Sequence, residues 1–407
     1  MGECFKKKGY KVFLTSRHST TRFLKLFTPD IFICTHVFQL RASEIKDLVN
    51  RGVKIYINEV EGTDHELGVS STYPEQYAGE TIDYSLFSGI FVWGKFSHDW
   101  VLQHRQINPQ QVVINGSTRQ SALSRPKPKT GGVVVGIISR FEIINTFDKR
   151  HVFSNLMSLD PEDPDWLWYY ERCAIDAQTF SIVHKILVNM VEKGYKISMR
   201  PHPNENLEGY QLLKDKFGYL FEIDQSKSIN EWLSNVSLVI GTTSTAFSEP
   251  YLAKIPIIST SKIQDFHYSD KDQAHLIGKF DLAAHTPESI AEAIELCTNS
   301  ELEPKSSSEL DDYFDLFYSL SNKIDPIERI VTIVDAENND KIKRTPVRSF
   351  IAGSLLLLLD LVYILKGILK MRNFRSFGTL KIYNYNRFFH KPSSFMKNAS
   401  LNIKQSN

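Results

Sequence analysis

A histidine between two prolines follows an arginine in the segment RPHPNE, residues 200–205. Histidine changes its charge near neutral pH, so His202 beside Arg200 could meet a phosphate as a charged or neutral hydrogen-bond donor. A phosphate leaving group needs such a partner. A stiff loop whose histidine caps a helix is the alternative interpretation, and Glu205 is a further candidate in the same segment.

A glycine followed by four hydroxyl residues opens the segment GTTSTAF, residues 241–247. A glycine turn ahead of a helix offers backbone N–H groups and the positive end of the helix dipole to an anion. Helix capping is the alternative, and it needs only one hydroxyl. The candidate phosphate-binding residues are Gly241, Thr242, Thr243, Ser244 and Thr245, and the following helix adds Glu249.

Two glutamates precede a glycine in the segment EVEG, residues 59–62. A carboxylate at the end of a strand could take the proton from an attacking hydroxyl group. An unperturbed glutamate is a weak base, so burial or a like-charged neighbour must raise its pKa. Glu59 and Glu61 could be such neighbours for each other, and solvated loop carboxylates are the alternative.

Three weaker signals complete the candidates. Arg119 ends the segment NGSTR at 115–119 and could help to bind donor or acceptor, although a tight turn explains it equally well. Asp163 and Asp165 resemble a metal-binding D-x-D pair, but the neighbouring prolines favour a turn, so we predict no metal ion. His267 alone is weak evidence for a nucleotide pocket.

Composition narrows the class of protein. The 48 basic and 47 acidic residues give a net charge of +1, which does not favour binding to nucleic acid. The four cysteines lie far apart and suit neither a zinc site nor a disulfide framework. The basic N-terminal residues are followed by no apolar region of signal-peptide length, so a cytoplasmic protein is expected.

The candidate segments need strands and helices to position them. Short β-branched and aromatic runs alternate with helical stretches, which predicts βα units and parallel sheets. The predicted strands of the first half lie at 11–15, 31–35, 53–57, 90–93 and 112–115. Those of the second half lie at 133–138, 196–199, 220–223, 238–241 and 256–259, with helices at 177–193 and 287–297.

The proline-rich basic run SRPKPKTG at 124–131 is typical of a linker. We therefore expect two doubly wound Rossmann-like domains facing a cleft, at 1–125 and 126–330, followed by a tail at 331–407. Ligands would bind in that cleft at the carboxyl ends of the strands. The chain opens in what resembles the end of a helix, so a first strand is expected to be absent.

The tail contains the apolar run FIAGSLLLLLDLVYIL with basic residues on both sides. A membrane-spanning helix needs about 20 apolar residues, and this run is shorter and carries Asp360. We expect a helix at 350–370 that lies in the surface of an anionic membrane. A buried core helix is the alternative.

Taken in order, these segments resemble the bacterial surface carbohydrate biosynthesis proteins, a GT-B-like family of capsule and lipopolysaccharide synthesis, over roughly residues 4–300. The resemblance is carried by GYKVFLTSR at 9–17, NEVEG at 58–62, FVWGKFS at 91–97, VVINGSTR at 112–119, RPHPNE at 200–205 and IGTTSTAFSEPYLAKIPII at 240–258. The acidic pair, the His-Pro and the hydroxyl cluster are also similar to three signatures of bacterial sialyltransferases. The second domain resembles the glycerol-phosphate polymerases of teichoic acid synthesis.

The resemblance implies an acceptor-side domain at 1–125 and a nucleotide-sugar-binding domain at 126–330, and it also implies roles for individual residues. Glu61 would deprotonate the acceptor, His202 would meet the phosphate of the departing nucleotide, and Ser244 with Thr243 or Thr245 would hold it. The inserted Val60 displaces Glu59 from the family pattern. A cytidine nucleotide would be the donor, with neither a metal ion nor another cofactor.

The expected function is that of a glycosyltransferase in surface polysaccharide synthesis, acting on a glycan or lipid-linked acceptor. It would work on the cytoplasmic face of the inner membrane, where the tail would hold it. One alternative is a polyol-phosphate transferase of the CDP-glycerol type. The other is a non-catalytic assembly protein that binds a nucleotide-sugar.

Overall fold

The computed structural model describes only part of the chain, and structural statements below concern that part. The described residues are 1–15, 17–35, 37, 40–59, 69–70, 72–118, 133–146, 149, 152, 166–202, 204–224, 229–242, 245–265, 279, 281–319 and 324–338. They divide into two compact units. The first holds the described residues up to 118 and those from 313 onward, and the second holds those between 133 and 312.

Eleven strands are present in the described residues, and each unit has one parallel sheet. The first unit contains β1 (Ile31–Cys34), β2 (Lys54–Asn58), the hairpin strands β3 (Gln76–Tyr77) and β4 (Glu80–Thr81), β5 (Gly89–Val92) and β6 (Val112–Ile114). The second contains β7 (Val134–Ile138), β8 (Lys196–Arg200), β9 (Phe221–Ile223), β10 (Leu238–Gly241) and β11 (Ile257–Ser259).

Helices connect and cover these strands. The α-helices of the described chain are α1 (Gly2–Lys7), α2 (Arg17–Leu26), α3 (Ala42–Asn50), α4 (Lys95–His104), α5 (Trp166–Glu192), α6 (Gln211–Phe217), α7 (Ile229–Leu233), α8 (Ser248–Leu252), α9 (Ile290–Thr298), α10 (Ser308–Tyr318) and α11 (Pro326–Ala336). Short 3₁₀ turns lie at Tyr84–Leu86, Pro109–Gln111, Leu207–Tyr210, Gly218–Leu220, Thr245–Phe247 and Ser261–Ile263.

The first sheet has the order β1-β2-β5-β6, and all its strands are parallel. Alternate residues of each strand face opposite sides, so Ile55 and Ile57 join one core cluster whereas Tyr56 joins another. α3 and α4 contribute to the first cluster, and α1 and α11 contribute to the second. Helices therefore cover both faces, as in a doubly wound α/β unit.

α11 reaches the first sheet from the far end of the described chain. It begins where Asp325 accepts hydrogen bonds from the N–H groups of Ile327 (2.8 Å) and Glu328 (3.0 Å), with Pro326 at its first position. Ile330 then packs on the same core cluster as Tyr56. This packing explains why the second unit ends near 312 rather than at the expected 330.

Residues 11–15 do not form the strand that the sequence predicts. Val12 packs in the cluster on one side of the sheet and Phe13 in the cluster on the other, so the side chains alternate as they would in a strand. No ladder of backbone hydrogen bonds joins them to β1 in the part of the chain that the structure describes. Two-sided packing thus produces the alternating pattern without backbone pairing.

The second sheet has the order β11-β10-β7-β8-β9 and is also parallel throughout. β8 and β9 lie on one side of β7, and β10 and β11 lie on the other. The direction of winding therefore reverses between β7 and β10. Ligands of open α/β sheets bind outside the carboxyl ends of the strands at such a reversal.

Both faces of the second sheet are covered as well. α5 and α9 pack with the strands in one core cluster. On the other face the ring of Trp232 lies so close to β7 that a Cβ at Gly136 would be 3.0 Å from it. Nε1 of Trp232 donates a hydrogen bond of 2.9 Å to Ser198 Oγ. The α/β fold class with two doubly wound sheets, predicted from the sequence, is confirmed.

The tail beyond residue 338, with the helix expected at 350–370, lies outside the described residues. Among the helices that are described, none is long and apolar enough to cross a membrane.

Candidate functional site

Glu205 joins the loops that follow β7 and β8. Its side chain is buried, with 1% of the residue exposed. The carboxylate accepts hydrogen bonds from Ser139 Oγ (2.8 Å), the N–H of Phe141 (2.8 Å), the N–H of His202 (3.2 Å) and the hydroxyl of Tyr210. Burial raises its pKa, against the effect of these donors. Glu205 therefore holds the two loops together.

His202 lies at the carboxyl edge of the second sheet, and 36% of its side chain is exposed. Nδ1 is 3.0 Å from Oε2 of Glu142, which follows β7. Asn204 Nδ2 donates to the same oxygen at 3.0 Å. Among the described residues Nε2 of His202 has no hydrogen-bond partner. One ring nitrogen is thus fixed by the protein, and the other is available to a ligand.

Glu142 has a strongly perturbed ionisation. Burial raises its pKa, but the hydrogen bond and charge of His202, the amide of Asn204 and the charge of Arg172 together lower it to about 2. Nη2 of Arg172 is 3.8 Å from the second carboxylate oxygen. The carboxylate beside His202 is therefore ionised at any physiological pH.

Arg200 is the last residue of β8. Its Nη1 is enclosed and has no hydrogen-bond partner in the described part of the chain. Its Cζ lies 6.0 Å from the ring centroid of Trp232. Burial lowers its pKa, while the charges of Asp224 and Glu249 raise it. An arginine remains charged under these conditions, so this edge presents a cation with an unused donor.

The loop after β10 passes close to the end of β7. A Cβ at Gly241 would lie 2.8 Å from the carbonyl oxygen of Ile138, so only glycine fits without a shift of the backbone. The hydroxyl of Thr242 lies 2.8 Å from that of Thr260 and accepts a hydrogen bond of 3.2 Å from Gln264. These contacts tie the start of the loop to the segment that follows β11.

The remaining residues of this loop are described only in part. Thr243 and Ser244 lie outside the described residues, and of Thr245 only its place in a 3₁₀ turn is described. The helix expected after the glycine turn is α8, which has only 5 residues. A helix this short makes a smaller dipole than the sequence suggests. Glu249 in α8 is buried and accepts from Ser248 Oγ at 3.0 Å.

Glu59 follows β2 in the first unit, and none of it is exposed. Its carboxyl group accepts hydrogen bonds from the N–H of Trp93 (2.7 Å) and from Ser97 Oγ (3.3 Å), and its carbonyl oxygen accepts from Trp93 Nε1 (2.7 Å). Burial raises its pKa to about 8. Glu59 therefore connects β2 with β5 and α4 as a largely protonated group.

The structure brings Arg200, His202 and Glu205 to the carboxyl edge of one sheet, where Gly241 ends the strand on the other side of β7. Glu59 lies in the other unit. Glu61 and Arg119 lie outside the described residues, as do Asp163, Asp165 and His267.

Sequence analysis missed Glu142, Arg172 and Asp176. Glu142 could have been found, because it follows the predicted strand 133–138 and so belongs to the same edge as His202. Arg172 and Asp176 are four residues apart on α5 and form a buried ion pair of 2.8 Å. Only the fold shows that this pair lies behind Glu142.

No family model matches the sequence, and no curated protein matches it. Three solved structures illustrate the similarity in fold. UDP-GlcNAc 2-epimerase of Methanocaldococcus jannaschii, in complex with UDP-GlcNAc and UDP, is 12% identical over 79% of this chain and 79% of that one, with a TM-score of 0.43.

The wall teichoic acid polymerase TagF is 11% identical over 72% of this chain and 70% of that one, with a TM-score of 0.43. MnaA of S. aureus, in complex with UDP, is 11% identical over 83% of each chain, also with a TM-score of 0.43. Similarity at this level assigns neither a family nor an activity to the chain.

Proposed function

We propose that this chain is a metal-independent GT-B glycosyltransferase of bacterial surface polysaccharide synthesis, of capsule or lipopolysaccharide. It transfers a sugar from a nucleotide-activated donor, with cytidine as the preferred base, to a glycan or lipid-linked acceptor. The observation that carries the proposal is that Arg200 and His202 both lie at the carboxyl edge of the second sheet.

Both side chains offer hydrogen-bond capacity that the described part of the chain leaves unused. A buried donor without a partner costs free energy, and Nη1 of Arg200 is such a donor. A phosphate oxygen at this edge would satisfy it in a charge-assisted hydrogen bond. Nε2 of His202 would reach the same anion from the neighbouring loop. A diphosphate or phosphodiester bound here lies beside the reversal between β7 and β10, where nucleotides bind in such sheets.

The proposed reaction is a direct displacement at the anomeric carbon. The acceptor hydroxyl attacks the anomeric carbon, the bond from that carbon to the donor phosphate breaks, and its electron pair leaves with the nucleotide. Arg200 and the protonated ring of His202 stabilise the negative charge on the departing phosphate. Glu61 accepts the proton of the acceptor hydroxyl. No covalent intermediate is needed.

Other parts of the proposal rest on the sequence resemblance. They are the preference for cytidine, the role of Glu61 as base, and the contacts of Thr243, Ser244 and Thr245 with phosphate. The cytoplasmic face of the inner membrane as the site of action and the tail as its membrane contact rest instead on the apolar run of the tail and its basic flanks.

A transfer assay tests the proposal. Cytidine-activated sugars are supplied with an acceptor extract of bacterial surface glycan, and transfer of the labelled sugar is measured. His202→Ala should lower the rate by at least 100-fold, because a donor to developing negative charge contributes about 3 kcal/mol. Lys196→Gln, at the exposed amino end of the same strand, is the control and should keep its activity. An unchanged rate in His202→Ala would remove the central residue from the mechanism.

A polyol-phosphate transferase is the second candidate, and the contact between Nδ1 and Glu142 supports it as well. A neutral ring that donates from Nδ1 to a carboxylate has its lone pair at Nε2 and can act as a base toward a hydroxyl group. Phosphorus in the product would then identify phosphoryl transfer. A rate that rises with pH would indicate the base, and one that falls with pH would indicate the protonated donor. Binding of nucleotide without any transfer would instead support an assembly protein.

A further inference from the structure

We infer that Glu142 is the positioning residue of His202: it holds a proton at Nδ1 and is itself fixed by the buried pair Arg172–Asp176. The consequence for catalysis rests on the proposed function, whereas the assignment of the proton rests on the geometry of the apoprotein. Glu142 acts through His202 and need not touch a substrate.

The backbone on both sides of Glu142 is fixed by buried carboxylates. The N–H of Phe141 donates to Glu205 Oε1 at 2.8 Å, and the N–H of Ile143 donates to Asp176 Oδ2 at 3.2 Å. Glu205 also binds the N–H of His202. The same buried group therefore sets the position of both the histidine and its partner.

The side chain of Glu142 is fixed in turn. Arg172, of which 2% is exposed, donates from Nε to Asp176 at 2.8 Å and places Nη2 at 3.8 Å from one oxygen of Glu142. Nη2 also donates to the carbonyl oxygen of Arg140 at 3.4 Å. The other oxygen of Glu142 receives the amide of Asn204 and faces the imidazole. Each carboxylate oxygen thus has its own neighbours.

The position of the proton follows from a conflict at Nδ1. This atom is 3.0 Å from Glu142 Oε2 and 3.2 Å from the backbone nitrogen of Asn204, and it cannot donate to the first while accepting from the second. A lone pair at Nδ1 would face the charge of an ionised carboxylate, which is repulsive. A proton there gives a charge-assisted hydrogen bond instead. The neutral ring therefore carries its proton at Nδ1.

Glu142 also determines how His202 can act on a phosphate. A charged ring donates from Nδ1 to the carboxylate of Glu142 and still has Nε2 to donate to a phosphate. Of the charged groups described, Glu142 faces the ring directly, and Glu205 binds the backbone N–H of His202. Arg172 neighbours Glu142 and pairs with Asp176. Without Glu142, the remaining nearby carboxylates are already engaged with other donors.

Nitrogen NMR of the apoprotein tests the inference without any substrate. The protein is labelled with ¹⁵N-histidine, and the His202 signals are assigned by their loss in His202→Gln. The neutral wild-type ring should show a protonated Nδ1 and an unprotonated Nε2. In Glu142→Ala, the N–H of Asn204 remains as the polar neighbour of Nδ1 among the described residues, so the proton should move to Nε2. Glu208→Gln is the control. Glu208 is an exposed glutamate in the turn Leu207–Tyr210, and its substitution should leave the spectrum unchanged.

Either of two results would overturn the inference: a neutral wild-type ring protonated at Nε2, or His202 signals that are the same in wild type and Glu142→Ala. The first needs no variant, so a folding defect in Glu142→Ala would not protect the inference. A failure of nucleotide binding would remove the proposed function but would not alter these spectra.

Kinetics add a second readout where transfer is observed. Glu142→Ala should lower kcat by about 10- to 100-fold, as the loss of a supporting partner does at other sites, with little change in KM. The pH profile of kcat should also differ between wild type and Glu142→Ala, because the variant lacks the carboxylate that faces the imidazole. A loss of activity with an unchanged pH profile would indicate a structural role for Glu142 alone.

Discussion

Two glutamates follow strands of different sheets, and burial acts on them in the same direction with opposite outcomes. Glu59 follows β2 and meets the neutral donors of Trp93 and Ser97, and its pKa is raised to about 8. Glu142 follows β7 and meets His202 and Arg172, and its pKa is lowered to about 2. Neighbouring positive charge makes the difference, because neutral donors only partly replace lost solvation.

The contrast extends to the carboxyl edges of the two sheets. At the described carboxyl edge of the first sheet, Glu59 is buried and connects β2 with β5 and α4 through its hydrogen bonds. At the described carboxyl edge of the second sheet, Nη1 of Arg200 has no hydrogen-bond partner, and 36% of the His202 side chain is exposed. Glu205 belongs to the second edge but resembles Glu59 in environment, since its donors are neutral and burial raises its pKa. Glu205 supports the candidate site through its buried hydrogen bonds to the loops after β7 and β8.

The largest expected effect concerns Glu205. Glu205→Ala removes the acceptor of four buried donor groups at once, so it should destabilise the second unit by about 3 to 5 kcal/mol. Urea denaturation measures this change. The exposed Glu208→Ala is the matched control and should leave the transition in place. A loss below about 1 kcal/mol would mean that Glu205 does not hold the two loops.

The next effect is the dependence of the free energy of unfolding on pH that Glu59 causes. Its folded pKa of about 8 is above its ordinary value of 4.5, so its contribution to stability is complete below pH 4.5 and is lost as pH rises towards 8. The slope should approach about 1.4 kcal/mol per pH unit within that window. Glu59→Gln keeps a neutral acceptor and should abolish this slope. Thermal unfolding at pH 5 and pH 8 would reveal it.

A smaller effect of opposite sign is expected for Glu142. Its folded pKa of about 2 is below the ordinary 4.5, so its contribution is complete above pH 4.5 and is lost as pH falls towards 2. Glu142→Gln should cost about 1 kcal/mol at pH 7, less than the full shift implies because solvent screens a partly exposed group. The cost should vanish near pH 2. Between pH 5 and pH 8, the free energy of unfolding should change with pH in Glu142→Gln but not in Glu59→Gln. Equal slopes in the two variants would contradict the comparison.

The smallest effect concerns Tyr210, whose hydroxyl is one of four donors to Glu205. Tyr210→Phe keeps the buried ring and removes one hydrogen bond, so about 1 kcal/mol should be lost. The remaining three donors should keep the loop in place, and His202 should give unchanged NMR signals. Movement of those signals would show that the support of the site is less redundant than described.

Most of the strand pattern could be predicted from the sequence, because each β-branched run is bounded by glycine, proline or charged residues. The segment 11–15 misled the prediction, since Val12 and Phe13 alternate between two faces without backbone pairing. The burial of Glu59 was also within reach. It continues the row of Ile55 and Ile57 on the buried face of β2.

The environment of Glu142 could not be predicted in the same way. Its partners come from the loop after β8 and from α5, and sequence spacing gives no measure of their distance. The lack of a hydrogen-bond partner for Nη1 of Arg200 among the described residues likewise depends on how Trp232 and the end of β8 pack. The placement of Arg200 and His202 at the end of a strand could be predicted from the sequence, but the charge network around Glu142 needed coordinates.

Calorimetric titration with CMP tests the central claim, that the carboxyl edge of the second sheet binds the phosphate of a nucleotide. Wild type should bind CMP, and Arg200→Gln should weaken binding by about 10- to 100-fold, the value of a charge-assisted hydrogen bond. Lys196→Gln, at the other end of the same strand, should bind as wild type does. Absence of CMP binding to wild type, or equal affinity in Arg200→Gln, would contradict the account.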